Sequence, residues 1–272
     1  MERKNTIEKE FKKNYLYCLK KININKNKNI YLVSNLKKIG RVKIPKNKKI
    51  KLILDGIEKV VGKNGTIFSP SASMNLVNSD VLFDLKNTPS YKMGPLAEMI
   101  RKKSKFRSLH PYWSICGYGK NANILNDVSN HSYAYGSPWS KFLDLDVLQV
   151  NIGIHPSKAV TLIHHIETIF GVPYRYTKEF SHKIKSKNKI VLKKFYMSVR
   201  YKNSDIEKKK KLNEHYFKIL KKQNKLEEIK LISGIKIWAF KMRDFFDVSS
   251  NLFKKNLYNY LEKEPRSKPY AK

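Results

Sequence analysis

Apolar and aromatic residues recur at spacings of three and four over residues 6–20 (IEKEFKKNYLYCLKK), which predicts an amphipathic first helix. The apolar run at 30–33, followed by Ser34, Asn35 and a short basic stretch, predicts a strand ending in a turn. Over 45–61, Leu52, Ile53, Ile57, Val60 and Val61 fall on one helical stripe, and Gly62 stands where a helix would end. GTIFSP at 65–70 is a strand of β-formers closed by proline. Strand, helix and strand in this order predict a βαβ unit and a largely parallel sheet. Residues 71–92 are polar and aperiodic, and a loop of that length inside a domain is more often functional than filler. GPLAEMIRKK (94–103) predicts a helix, whereas 107–136, dense in His, Ser, Gly and aromatic residues, has the composition of a site lining. DVLQVNIGI (146–154) is the most apolar strand candidate, followed by a helix over 158–170 that Ser157 would cap and Gly171 would close. A strand running through a loop into a helix is how open α/β sheets present a ligand site.

Further along, the pattern predicts a strand over 189–200, a charged helix over 205–226 and one or two strands over 227–240. A last helix, 241–262, would bury Phe245, Phe246, Leu252, Phe253 and Leu257. No Pro-, Gly- or Ser-rich linker and no repeat interrupts the chain, so one domain over 1–272 is expected, best marked over 30–180, with 185–272 as an α/β extension of it.

Composition narrows the classes. Hydrophobic residues at 41% and aromatics at 12% of 272 residues suffice for a real core, and no run of about eighteen apolar residues is present to cross a membrane. The opening MERKNTIEKEF lacks the apolar core of a secretory signal, so a cytoplasmic location is expected. Two cysteines, Cys18 and Cys116, are too few for a disulfide framework or a zinc site. The balance of 57 Lys+Arg against 22 Asp+Glu, a formal +35, would by itself suit a nucleic-acid binder, and the interleaved aromatics add to that alternative. Lysine predominates, however, and is spread along the chain. Its one sharp run, at 208–211, reads as a solvated helix start, so no specific nucleic acid is expected as partner. What remains is a field that attracts acidic ligands and repels polycations. Neither a Gly-x-Ser-x-Gly elbow nor a Walker-type loop is present.

Within 158–170, Ala159, Leu162, Ile163, Ile166 and Ile169 face a core, while Thr161, His164 and Glu167 lie at steps of three on another face. A carboxylate three residues from an imidazole can accept the ring N–H and raise the basicity of the other nitrogen, as a general base requires. The same spacing also suits a surface ion pair. His165 points about 100° away. No second ligand cluster supports a metal. Cys116, in a segment that also holds His110, is open to two readings, an acyl-accepting thiol or a small buried residue.

Four motifs, in order, resemble the aminoglycoside 3-N-acetyltransferase family. Met93-Gly94, Leu96, Glu98 and Arg101 are similar to its Met-Gly-x-Leu-x-Glu-x-x-Arg. Arg107-Ser108-Leu109-His110-Pro111-Tyr112-Trp113-Ser114 resembles Arg-Ser-x-His-Pro-x-x-Ser. Gly136-Ser137-Pro138 resembles its Gly-x-x-Ser-Pro region, and Thr161 to Glu167 is similar to Thr-x-x-His-x-x-Glu. The likeness extends weakly to Val172-Pro173-Tyr174-Arg175 and fades beyond about 185. It departs at Leu32-Val33-Ser34-Asn35-Leu36, where many members read Val-His-Ser-Ser-Leu.

The resemblance implies a three-layer α/β/α sandwich around a mostly parallel sheet, distinct from the GNAT acetyltransferases. It implies direct acyl transfer from acetyl-CoA, or another acyl-CoA, to an amine, without a metal. By the same likeness His164 is the general base and Glu167 its orienting carboxylate. Arg107, Ser108, His110 and Ser114 would line the CoA and acyl pocket, with Ser34 and Asn35, in the departing segment, also expected to bind the cofactor. The unusually aromatic Trp113, Tyr133 and Tyr135, a second departure, are expected on the acceptor side, where rings could stack on a sugar or base. The charge of +35 turns the expected acceptor toward an anionic amino sugar, nucleotide-linked for surface polysaccharide. An aminoglycoside is the alternative, and assembly into a homo-oligomer is left open.

Overall fold

The computed structural model describes residues 2–37, 43–186, 189–202, 206 and 212–266. In chain order they form α1 (Glu2–Lys21), β1 (Asn29–Ser34), α2 (Lys46–Val61), β2 (Thr66–Pro70), β3 (Phe83–Asp84), α3 (Pro95–Lys103), β4 (Phe106–Arg107), β5 (Ile115–Gly119), α4 (Pro138–Asp144), β6 (Leu148–Ile152), α5 (Leu162–Ile169), β7 (Arg175–Ser186), β8 (Lys189–Arg200), α6 (Leu212–Lys222), β9 (Glu227–Lys230), β10 (Lys236–Lys241) and α7 (Met242–Lys255). Single 3₁₀ turns occupy Met74–Leu76, Ala122–Asn126 and Pro156–Lys158.

Seven strands make the main sheet in the order β4-β5-β2-β1-β6-β10-β9. β1 runs parallel to β2 and to β6, with Ile30 opposite Ile67 on one side and Leu148 on the other. The parallel sheet expected from the sequence is thus the three central strands, and both flanks are antiparallel. The reason is connection length. β4–β5 and β9–β10 are joined by short turns, which only antiparallel neighbours allow, while the long crossover through α2 sets β1 and β2 parallel.

Alternation along the strands builds the two faces. Ile30, Leu32, Ile67, Leu148, Val150 and Ile152 join buried residues of α1, α2 and α3 in one core. Tyr31 and Phe68 enter a second core with Trp139 and Phe142 of α4, Ile163 and Ile166 of α5, Phe217 of α6 and Phe245 of α7. Helices therefore cover both faces, in an α/β fold of three layers. Phe142 is fully buried, with ring centroids of Phe68, Tyr31 and Trp139 at 4.6, 5.7 and 6.0 Å. Truncating such a residue to alanine costs about 3–5 kcal/mol. A second sheet, β3-β7-β8, packs Phe83, Ile184, Phe195 and Met197 into the same core.

Some expectations need correction. The helix expected over 158–170 is broken: Pro156 starts a 3₁₀ turn, Ala159 leaves helical geometry (φ −149°, ψ 25°), and α5 begins only at Leu162. Ser157 is not its cap, because its backbone N–H and hydroxyl pair with His155 Nδ1. The last helix stops at Lys255, so Leu257 lies beyond it and is 38% exposed rather than buried. β3, β4, β5, β7 and α4 have no counterpart in the sequence reading. The lysine run at 208–211 lies outside the described residues.

Candidate active site

The carboxyl ends of the parallel strands meet at one edge of the sheet. β1 exits through Ser34 and Asn35, β2 through Pro70 into Ser71 and Ser73, and β6 through Gly153 toward α5. The exits of β1 and β6 press together: Asn35 N–H donates to Ile152 O at 2.9 Å. At Gly153 a Cβ would sit 2.4 Å from Asn35 O, and φ is +71°, so only glycine fits the turn that leads the chain to α5.

Glu167 and His164 occupy adjacent turns of α5, which packs on α7. Glu167 is fully buried, and three groups converge on it. His164 Nδ1 lies 2.7 Å from Oε2, Arg175 Nη2 2.8 Å from the same oxygen, and Tyr174 OH donates to Oε1 at 2.9 Å. Burial alone would raise the Glu167 pKa, but Arg175 and the bond from His164 outweigh it and bring it to about 2. Burial, then Arg175, lowers His164 to about 4 against the raising effect of Glu167. The imidazole is therefore neutral at pH 7 beside an ionised carboxylate. Nδ1 also lies 2.9 Å from Arg175 Nη2, and Nε2 has no hydrogen-bond partner among the described residues; in the tautomer that donates Nδ1–H to Glu167, Nε2 keeps its lone pair. The side chain is 21% exposed, so the ring is reachable. Such a nitrogen can take a proton from an approaching amine or hydroxyl.

The aromatic residues divide. The Tyr133 ring stands 5.3 Å from His164, with Trp113 behind it at 6.0 Å from Tyr133. Tyr135 is 74% exposed and stands against His165 instead, at 6.1 Å. His165 is buried, its Nδ1 bonded to Tyr133 O.

The Arg107–Ser114 segment forms a buried hub. Arg107 Nε donates to Ser114 Oγ at 3.0 Å, Nη1 to Thr88 O at 2.6 Å, and Nη2 to Ser71 O at 2.6 Å and Ser73 Oγ at 3.3 Å. Burial lowers its pKa to about 10, which leaves it a cation at neutral pH. Ser108 Oγ accepts from Ile115 N–H, and both nitrogens of His110 are engaged, by Trp113 N–H and Tyr196 O. Arg107 and Ser114 tie the 71–92 loop, and His110 ties β8, to the edge of the sheet, while Ser108 is bonded to β5; the polar atoms of all four are largely committed to the protein. Cys116 lies in β5, fully buried, its Sγ directed at Ser69 O at 3.6 Å and not at His110, and burial pushes the thiol pKa up. It has neither the access nor the base that a nucleophile needs.

A cleft of about 620 Å³ opens beside the β1 exit, with Ser34 and Asn35 in its lining and Lys37, Lys46, Lys49 and Lys92 among the residues around it. Four lysines among the lining residues make the surroundings of the cleft basic, which favours an anionic ligand. Arg107, Ser108, His110 and Ser114 do not line it. No group of three or more His, Cys, Asp or Glu able to hold a metal occurs among the described residues. No helix among them is long and apolar enough to cross a membrane. Sequence reasoning gave no role to Arg175 or Tyr174, although a buried carboxylate at Glu167 calls for a counter-charge.

The family model of aminoglycoside 3-N-acetyltransferase matches residues 32–254. Among solved structures, the fold is similar to aminoglycoside acetyltransferase AAC(3)-Xa, with a TM-score of 0.77 and 14% identity over 94% of this chain and 98% of that one. YokD from Bacillus subtilis superposes with a TM-score of 0.73 and 21% identity, over 91% of this chain and 100% of that one. AAC-VIa bound to sisomicin gives 0.75 and 17%, over 90% and 97%. No curated protein matches the chain by sequence.

Proposed function

The chain belongs to the aminoglycoside 3-N-acetyltransferase family and is an N-acetyltransferase; from that premise we propose that it passes an acetyl group from acetyl-CoA directly to an amine of an aminoglycoside-type acceptor, with His164 as general base. The observation that carries this reading is the contact of the buried Glu167 Oε2 with His164 Nδ1 at 2.7 Å, on a partly exposed ring whose Nε2 no described residue engages. A protonated amine has no lone pair to attack with. As the neutral amine nitrogen bonds to the thioester carbon, its proton moves to His164 Nε2. The tetrahedral intermediate then collapses with cleavage of the C–S bond, and the imidazolium returns the proton to the departing thiolate. Glu167 stays ionised throughout and stabilises the transient imidazolium.

The lysine-lined cleft fits acetyl-CoA by charge, with the exposed Lys46 and Lys92 toward its phosphates and Ser34 and Asn35 nearer the β1 exit. Arg107, Ser108, His110 and Ser114 would act indirectly, Arg107 and Ser114 by fixing the 71–92 loop that carries Lys92 to the cleft, and Trp113 and Tyr133 would border the acceptor, with Tyr135 at the rim. A second reading, acetylation of an anionic amino sugar such as a nucleotide-linked one, is favoured by the formal +35 and by Arg175 and Arg200, whose charges both bear on His164. Charge is also the main support for a nucleic-acid binder, and it is sequence-independent.

The test is free thiol released from acetyl-CoA with the protein challenged in parallel by aminoglycosides and by nucleotide-linked amino sugars, with the acetylated product weighed by mass spectrometry. Release with aminoglycosides supports the first reading. Release with the sugars alone moves the acceptor to the second, and silence from both while CoA binds would overturn the acceptor class.

A further inference from the structure

Arg175 contacts both members of the His164–Glu167 pair. Its Nη2 lies 2.8 Å from Glu167 Oε2 and 2.9 Å from His164 Nδ1, and those two atoms are 2.7 Å apart. The three form a closed triangle, anchored where Nη1 donates to Ser198 O of β8 at 2.9 Å. The arginine nitrogen always carries hydrogens. If Nδ1 were bare, it would accept from Arg175, but its lone pair would then face a carboxylate oxygen at 2.7 Å with no hydrogen between them. If Nδ1 carries the hydrogen, both nitrogens donate to Oε2, and the residual conflict is a 2.9 Å contact between two donors, one of them on a neutral ring. The shorter contact, to the full negative charge, decides in favour of the second arrangement.

We infer that Arg175 is a positioning residue: by sharing Glu167 with His164 it fixes the carboxylate, holds the Nδ1–H tautomer, and keeps the ring uncharged until an acceptor delivers a proton. This deepens the function proposed above and rests on it. Without Arg175, a buried carboxylate would face the imidazole with only Tyr174 and the weaker charge of Arg200 to moderate it, and the pair would shift toward imidazolium and carboxylate, which is no base. The other groups facing His164 are Tyr133 and Tyr260, at ring distances of 5.3 and 6.1 Å, both pushed up by burial and so neutral. Arg200 of β8 acts in the same direction as Arg175 but more weakly.

Ring ¹⁵N NMR of His164, with the pH profile of thiol release, tests this. In the wild-type protein His164 should show the Nδ1–H signature and remain neutral to below pH 5. In Arg175→Gln the ring titration and the acid limb of kcat/KM should both rise by about one to three pH units, and Arg175→Lys should restore most of the shift. A wild-type His164 that titrates at or above its ordinary value overturns the inference whether or not the variants fold. So does a folded Arg175→Gln with an unchanged profile. Because the NMR measurement needs no turnover, an Nδ1–H ring that behaves as expected in a protein releasing no thiol with any acceptor would leave the role of Arg175 standing and remove the proposed reaction.

Discussion

Two helices of this protein carry a carboxylate paired three residues along with a basic side chain, and the pairs end in different chemistry. On α3, Arg101 Nη2 meets Glu98 Oε1 at 2.7 Å, and Nε reaches both oxygens. Ser90 donates to Oε2 through its N–H and hydroxyl, and Arg101 Nη1 goes on to Lys86 O at 2.6 Å. The charged groups are occupied, and the cluster fastens the 84–94 loop to the helix. On α5, Glu167 is just as fully engaged, but its partner His164 keeps one nitrogen bare on a partly exposed ring. Both carboxyls are brought to about 2, Glu98 by Arg101 and Ser90 and Glu167 by Arg175 and His164, each against the opposing effect of burial. Spacing and acidity therefore do not separate a structural clamp from a candidate catalytic pair. An unsatisfied nitrogen does.

The comparison breaks first at His164. His164→Ala should lower kcat by about 10²–10⁴ while CoA affinity, measured by calorimetry, stays close to wild type. Glu167→Ala should lose less turnover but more stability, about 3–5 kcal/mol in denaturant unfolding, because it leaves Arg175 buried without its partner, and Glu167→Gln should be milder on both counts. Glu98→Ala should lower stability by about 1–3 kcal/mol, discounted because Glu98 is a quarter exposed, with turnover per folded molecule near wild type. A loss of turnover there as large as at His164 would erase the distinction between the two helices.

Acid sharpens it. An unfolded histidine binds its proton near 6.5, whereas His164 and His110 in the folded protein do so near 4. The unfolded state therefore takes up more protons across that window, and stability should fall as pH drops from 6.5 to 4, by up to about 1.4 kcal/mol per unit for each group. Glu98 and Glu167 add their own loss only between about 4.5 and 2. The smallest effect is expected at Cys116→Ser, where a hydroxyl can still donate to Ser69 O and turnover should persist. An acyl adduct on the wild-type thiol would contradict that.

Local signals were legible wherever one element carried the whole pattern. α2 was readable from its stripe and from Gly62, whose φ of +73° marks the helix end, and β1, β2 and β6 from their apolar runs. His164 and Glu167 were readable because both lie on one helix. Arg175 was not, since nothing in its neighbourhood says that β7 will deliver it to α5. β7 itself hides because Tyr176, Phe180 and Ile184 recur every fourth residue, so the alternation of a strand is masked by lysines and polar residues. Arg107, Ser108, His110 and Ser114 were found as a motif, but only the hydrogen bonds show their polar atoms turned into the protein.

The measurement that bears most directly on the central claim compares thiol release from acetyl-CoA by wild-type protein and His164→Ala across pH 5–9, with CoA binding followed in the same samples. The wild-type protein should release thiol with an amine acceptor while the variant binds CoA equally and releases almost none at any pH. A variant that keeps the wild-type rate would contradict the assignment of His164 as the base.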